Sequence, residues 1–346
     1  MKIFDGVFSP PIIRLFQKCP RALYFDAVLG RKPERVTAAL LAGRAGREAV
    51  NFAHREQVWD PQALFEVFLD HLSREQEWAR KRGLEVIDLD RVVTADYREM
   101  LQGYAIKKYN RRARVIALEQ KFTFSLKPNK AVYRFSGRID QVLALKTGLL
   151  RRHYPEALAG FEPAEVIVHR ELSFGRRREV SPCDLALNTL ISLKAYALKH
   201  GEFFTDESDD QPIPRNLIPD LHAVCFLREL IPPKAGRGRL RRDENGHAVP
   251  CGLVKTPCNI SSGRQARYCQ GRRAWCEHDP WRPGPEMFFT ARTEAQLRLI
   301  GRDLGRVCAS IRRGDYFARP GELCRRYCRF RDHCLQAEGA GLNEAA

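Results

Sequence analysis

The hydrophobic pattern changes period near residue 115, and that change divides the chain. From residue 9 to about 110, apolar residues recur at helical spacing, as in ERVTAALLAGRAGREAVNFAHRE, so this stretch reads as mostly helical. From 115 onward the alternation is two-fold. Leu118, Gln120, Phe122 and Phe124 alternate with Glu119, Lys121, Thr123 and Ser125. After KPNK, Tyr133, Phe135, Gly137 and Ile139 alternate with Arg134, Ser136, Arg138 and Asp140. Two such runs about a Pro-Asn turn predict a β-hairpin with Glu119 and Asp140 on its more polar face.

A third strand is expected over 164–172 (AEVIVHREL), apolar and β-branched, beside the hairpin. Ser181 as N-cap, Pro182 at the first helical position and Asp184 in the first turn open a helix through Tyr196 to about His200. LHAVCFLREL at 221–230 reads as a further strand. Thr293 and Gln296 form a capping box for a long helix with Leu297, Ile300, Leu304, Val307 and Ile311 on one face. Residues 232–289 are rich in Pro, Gly, Arg and Cys and lack periodicity. Structureless loops of that length are uncommon inside a compact domain, so this stretch reads as an inserted subdomain. The expected fold is α/β, a mixed sheet flanked by helices. Its parts are an N-terminal helical region (1–110), an α/β core (111–231), a Cys/Arg-rich insertion (232–289) and a C-terminal helix with a cysteine cluster (290–346).

Composition is that of a globular protein, but the formal charge of +17 changes the picture. Lys and Arg that neutralise phosphates release counterions, so a polyanionic partner is expected. Discrete basic runs, RRAR at 111–114, RRR at 176–178 and RGRLRR at 237–242, are candidates for the surface that binds it, or solvated loops. No run of about 18 apolar residues exists to cross a bilayer, and the N-terminus lacks the layout of a secretory signal. A cytoplasmic protein without a membrane partner is the expectation.

Eleven cysteines without an export signal point to reduced thiols and metal ligands rather than disulfides. Cys19 near one end and Cys324, Cys328 and Cys334 near the other supply the four thiolates of a [4Fe-4S] cluster, or of zinc, and would staple the two ends. Cys251, Cys258, Cys269 and Cys276 form a second tetrad inside the insertion. It is a candidate structural Zn²⁺ site with His278 as a spare ligand, or a set of unconnected thiols. Cys183, Cys225 and Cys308 read as small buried hydrophobes.

Several pieces then line up in order: the pattern SxxxxxxxxxCPRxxYF from Ser9, GRAGRE at 43–48, GRID at 137–140, the helix with Tyr196, and IRRGDYFARPGELC leading to the last cysteines. Together they resemble the RecB-like branch of the PD-(D/E)XK nuclease superfamily. That branch includes iron-sulfur helicase-nucleases of recombination and CRISPR-associated RecB-like exonucleases. The resemblance implies a restriction-endonuclease-like mixed sheet and Mg²⁺ or Mn²⁺ held by carboxylates. It also implies action on DNA ends or single strands, with protein partners in a repair, recombination or CRISPR complex.

In the family a histidine after a glycine is followed by a GxxD strand, a (D/E)xK strand and a helix with glutamine and tyrosine. Asp140 falls on the GxxD aspartate, Glu119 on a glutamate many members carry, and Tyr196 on the helix tyrosine. Arg47 replaces the histidine, and Ser192 stands where glutamine is expected. The (D/E)xK place reads His169, Arg170, Glu171, which puts His169 at the acid and Glu171 at the lysine. Lys121 and Lys194 are the lysines able to substitute. These replacements point to a partly degenerate active site on a fold that binds DNA with little or no cutting; the alternatives are an active exonuclease whose variant metal site is Asp140, Glu119, His169 and Glu171, and an assembly subunit. Tyr268, Trp275 and Trp281 are base-stacking candidates or the insertion's small core.

Overall fold

The computed structural model of the protein describes residues 4–31, 33–89, 92, 94–127, 131–174, 185–204, 218–230, 286–290, 293–319, 328, 330–331 and 333–334. Its N-terminal part carries α1 (Pro10–Lys18), α2 (Pro20–Leu23), α3 (Ala38–Arg55), α4 (Pro61–Lys81), α5 (Thr94–Ala105) and α6 (Lys108–Arg111). Their starts follow local chemistry. Proline, whose missing N–H costs nothing in a first turn, opens α1, α2 and α4, and the side chains of Thr37 and Asp60 accept from Leu40 N and Ala63 N to cap α3 and α4. Between these helices β1 (Arg35–Thr37) and β2 (Glu85–Ile87) pair in parallel. Three residues are too few for alternation to show, so nothing in the local pattern marks them.

Strands β3 (Arg114–Leu118), β4 (Lys121–Leu126), β5 (Tyr133–Arg138) and β6 (Gln141–Lys146) follow. The expected hairpin is present, with Lys121 opposite Arg138 and Leu126 opposite Tyr133. Both arms then run on into a second sheet, where β3 pairs with β6. At the crossing between sheets, Glu119 N donates to Asp140 O (2.9 Å) and Ile139 N to Gln120 O (2.8 Å). Glu119 adopts φ 52°, an uncommon conformation for a residue with a side chain. The hairpin is therefore bent, and the two acidic residues sit at the bend.

The main sheet gains β7 (Glu165–Ser173), β9 (Leu221–Phe226) and β10 (Met287–Thr290) in the order β10-β9-β7-β6-β3, while β8 (Glu202–Phe204) joins β4 in the smaller sheet. β7 and β9 are parallel and the other pairs antiparallel, so the sheet is mixed. Helices α7 (Thr147–His153), α8 (Leu185–His200) and α9 (Glu294–Arg313) are the remaining α-helices among the described residues. Val166, Val168 and Leu172 of β7 pack with Leu41, Leu64, Phe68 and Tyr104 of α3–α5 in one core. Phe122, Phe135 and Val142 pack with Leu193, Leu304 and Ile311 of α8 and α9 in another. Each such side chain contributes about 1.5–3 kcal/mol by leaving water, and together they fix helices on both faces of the sheet. This is the mixed, helix-flanked α/β architecture that the sequence led us to expect.

Thr293 and Gln296 form the capping box as expected, and Gly314 at φ 85° ends α9 in a left-handed cap. The stretch 221–230 departs from expectation. Its strand stops at Phe226 and a 3₁₀ turn (Leu227–Leu230) follows, because Leu227 and Leu230, three apart, are both buried and a three-fold turn puts them on one side. Strand β10 shows that 287–289 form a sheet edge rather than part of an irregular insertion. Ser181, Pro182, Asp184, the basic run 176–178, Cys183, Cys324 and the tetrad Cys251, Cys258, Cys269 and Cys276 lie outside the described residues. Cys225 and Cys308 are buried as small hydrophobes, and burial pushes the Cys225 thiol up to about 12. Among the described residues no helix is long and apolar enough to cross a membrane.

Candidate active site

Strand register assembles the site. Gln141 of β6 is the partner of Arg170 on β7, so one step outward Asp140 faces Glu171. Leu172 N reaches across and donates to Asp140 Oδ2 at 3.1 Å. His169 and Glu171, two apart on β7, share one face of the strand. Helix α8 lays Lys194 over that face, with Nζ 2.5 Å from Glu171 Oε2 and 3.4 Å from Asp140 Oδ1. From α3, Arg47 Nε lies 3.6 Å from Asp140 Oδ2 and 3.9 Å from Glu119 Oε1, and Arg138 Nη1 holds Glu119 Oε2 at 2.7 Å.

Asp140, Glu171 and Lys194 are each 4–5% exposed, so the ions persist only because they pair. Burial pushes the Asp140 carboxyl up, but Lys194, Arg47 and the Leu172 N–H outweigh it and hold the group below the ordinary aspartate value. Lys194 has the mirror-image balance: burial lowers it, while Asp140 and Glu171 hold it above the usual lysine value. Among the described residues no three His, Cys, Asp or Glu side chains are gathered as a metal-holding group. The donor set nevertheless suits a hard divalent cation, since two carboxylates converge on one point and a cation, the Lys194 ammonium, already lies between them.

Behind the carboxylates lie two further sets of buried polar groups. His169 Nε2 is 2.7 Å from Glu171 Oε1, and its Nδ1 is 3.0 Å from Nδ1 of His222 on β9, the residue paired with it in the parallel register. On the opposite face of β7, Arg170 is fully buried. It donates to Gln141 Oε1 and Asn110 Oδ1, both at 2.8 Å, to the Tyr104 hydroxyl, and to His54 Nε2 at 3.1 Å, while Gln141 Nε2 donates to Asn51 Oδ1. Burial, reinforced by Arg170, keeps the His54 pKa well below the usual histidine value. A pocket of about 310 Å³ opens beside Arg47 and Glu119, with Arg44, His71, Glu75 and Arg138 also on its walls.

Of the residues singled out by sequence, Asp140, His169 and Glu171 come together, and Glu119 joins them through Arg47. Tyr196 goes elsewhere. Two positions past Lys194 it points to a different side of α8, where its ring packs 5.1 Å from Phe124 and 4.4 Å from His200. Cys19, Cys328 and Cys334, from opposite ends of the chain, all pack against the cluster of Ala22, Phe25 and Phe330. His222 and the Arg170 network carry no sequence signal, because their partners come from distant segments.

A bent hairpin, a neighbouring strand and an overlying helix thus bring two carboxylates and a lysine into one buried cluster on a mixed, helix-flanked sheet. Residues 7–151 match the family model of the PD-(D/E)XK nuclease superfamily, and this stretch, from the N-terminal helices through Asp140 to α7, is a domain of that superfamily. His169, Glu171 and Lys194 follow it along the chain. No match to a curated protein was found.

Proposed function

We propose that the protein is a divalent-metal-dependent nuclease acting on DNA. The observation that supports it most is Lys194. The nuclease chemistry needs two carboxylates and a cationic side chain, and the β7 sequence alone lacks the lysine. Lys194 supplies that charge from α8 in contact with both Asp140 and Glu171. In this reading Glu171, across from Asp140, serves as the second acid, so the motif is displaced by two residues from the one read at His169 and its lysine is carried by a helix.

Asp140 and Glu171 would hold Mg²⁺ or Mn²⁺, and the metal, when bound, would lower the pKa of water and screen the phosphate charge. The chain's own residues do the rest. Lys194 brings positive charge to where negative charge develops on a phosphate, Arg47 keeps Asp140 ionised, and the β6–β7 pairing keeps the two carboxylates facing. The net charge of +17 and the arginines of the adjoining pocket provide a surface for the strand.

Around this centre the four-thiolate [4Fe-4S] cluster of Cys19, Cys324, Cys328 and Cys334 would close the N- and C-terminal segments, a role supported by three of the four packing on one small core. The insertion's tetrad would hold Zn²⁺. The setting is DNA repair, recombination or CRISPR-associated processing, in keeping with the RecB-like resemblance. A second reading, DNA binding without cleavage, draws on Arg47, which stands 3.6 Å from Asp140 where the family carries histidine.

Digestion of single- and double-stranded DNA with Mg²⁺ or Mn²⁺ by wild type, Asp140→Ala and Glu171→Gln separates the two. Cleavage that both substitutions abolish is expected. Tight DNA binding with no cleavage in either metal would establish the second reading instead.

A further inference from the structure

Each carboxylate oxygen of Glu171 is engaged, one by Lys194 and the other by a histidine that is itself held from behind. We propose that His169, backed by His222, is a positioning residue that fixes the Glu171 carboxylate and is not itself a metal ligand. The inference rests on the reading of Glu171 as a metal-holding group.

Hydrogen-bond chemistry dictates the arrangement. A carboxylate paired with Lys194 offers only acceptors, so the proton in the 2.7 Å contact to Glu171 Oε1 belongs to His169 Nε2. The two Nδ1 atoms at 3.0 Å take one proton between them, since two would collide and none would set lone pair against lone pair. Whichever ring carries that proton, His169 Nδ1 is used in the contact. Both ring nitrogens of His169 are then occupied, which leaves no lone pair for a metal ion. His169 is fully buried and His222 nearly so, and their rings meet edge to face at 80°. Register makes the chain of contacts rigid: His169 and His222 are direct partners on parallel strands, and Glu171 follows two residues along the same face. A glutamate that would otherwise sample several rotamers is thus held at both oxygens. Outer partners of this kind orient a ligand without touching the metal.

Two substitutions at His169 discriminate. The amide nitrogen of His169→Gln reaches the place of Nε2 and can still donate to Glu171. His169→Asn reaches only the place of Nδ1, so it keeps His222 and loses Glu171. Mn²⁺ binding to DNA-free protein is followed by electron paramagnetic resonance, with thermal unfolding checking that both variants fold. The expected result is near-native affinity for His169→Gln and a loss of about 10- to 100-fold for His169→Asn. Equal losses would mean ring packing or direct ligation and would overturn the proposal. Long-range ¹H–¹⁵N correlations of the imidazoles in metal-free protein give a readout independent of the metal. A proton on His169 Nε2 is expected, and a bare Nε2 would overturn the proposal. Mn²⁺ affinity unchanged by Glu171→Gln would sink the metal-holding reading instead, and the nitrogen spectra tell the two failures apart.

Discussion

Lys194 on helix α8 donates to Glu171 on strand β7 at 2.5 Å, and both side chains are buried. The pair joins a strand and a helix, and it puts an ammonium against the strand carboxylate that faces Asp140. Removing that ammonium has two consequences that can be measured separately. Lys194→Met should lower cleavage by about 10²–10³-fold, the usual loss when a charge-stabilising donor is deleted. It should also destabilise metal-free protein by about 3–5 kcal/mol, because two carboxylates stay buried without their cation. Mn²⁺ should then raise the unfolding midpoint of the variant more than that of wild type. No difference in that response would argue against a metal between Asp140 and Glu171.

Among the described residues, the hydrogen-bond partners of Arg170 on β7 are the neutral side chains of Gln141, Asn110, His54 and Tyr104. Replacing Arg170 by Met strips donors from Gln141, Asn110, Tyr104 and His54 together, leaving several buried acceptors bare. A loss of about 1–3 kcal/mol or more in denaturant unfolding is expected, the cost of leaving a buried acceptor unsatisfied and a large part of any domain's stability. Lysine, a point charge with no planar fork, should rescue little of it.

Stability should fall in mild acid through His54. Its pKa is depressed in the fold, so the unfolded chain binds the extra proton below the ordinary value of 6.5. Stability therefore declines from pH 6.5 downward with a limiting slope of about 1.4 kcal/mol per pH unit until the folded value is reached. His54→Gln, whose amide oxygen can accept from Arg170, should flatten that slope. The Asp140–Lys194 pair behaves differently. Asp140, depressed below 3.8, contributes above that pH and loses its contribution as pH falls through the folded value. Lys194, raised above 10.5, contributes below that pH and loses its contribution as pH rises through the folded value. Across the physiological range the pair is constant, so a slope there belongs to other groups.

DNA affinity should drop steeply with salt, with a log-log slope of about −0.9 per phosphate contact on duplex and about −0.7 on single strands. Arg44→Ala and Arg138→Ala, on the pocket beside Arg47, should each reduce the slope by about one if the strand runs there. Filter binding or fluorescence anisotropy over a salt series measures this. Binding that ignores salt would contradict a phosphate-tracking surface.

Protein purified without oxygen should be brown, and Cys19→Ser should lose iron and stability together, since a cluster joining both ends couples metal binding to folding. Elemental analysis decides between metals. Zinc with no iron would replace the cluster by a tetrahedral zinc site, and about one zinc beyond the iron is expected from the insertion's tetrad.

Alternation about KPNK and the Thr293–Gln296 capping box were enough to place the hairpin and the last helix, because both are local: neighbouring residues satisfy them whatever the rest of the chain does. GRID likewise marked Asp140 from its own segment. The bend that sends one hairpin into two sheets was not legible, since the period stays two across residues 119–120 and 139–140 while the partner sheet changes. The partner of Asp140 was equally hidden. His169 and Glu171 share a face of β7, and only the pairing of Gln141 with Arg170 decides which of them meets Asp140. Lys194 was one of two lysines, with Lys121, that the sequence offered as substitutes, and it is singled out only when α8 docks on the sheet and turns that position toward two buried carboxylates. Residue types and local elements come from the sequence, because they depend on near neighbours. The charge balance of the site comes from tertiary packing, because each buried ion depends on a partner from another segment.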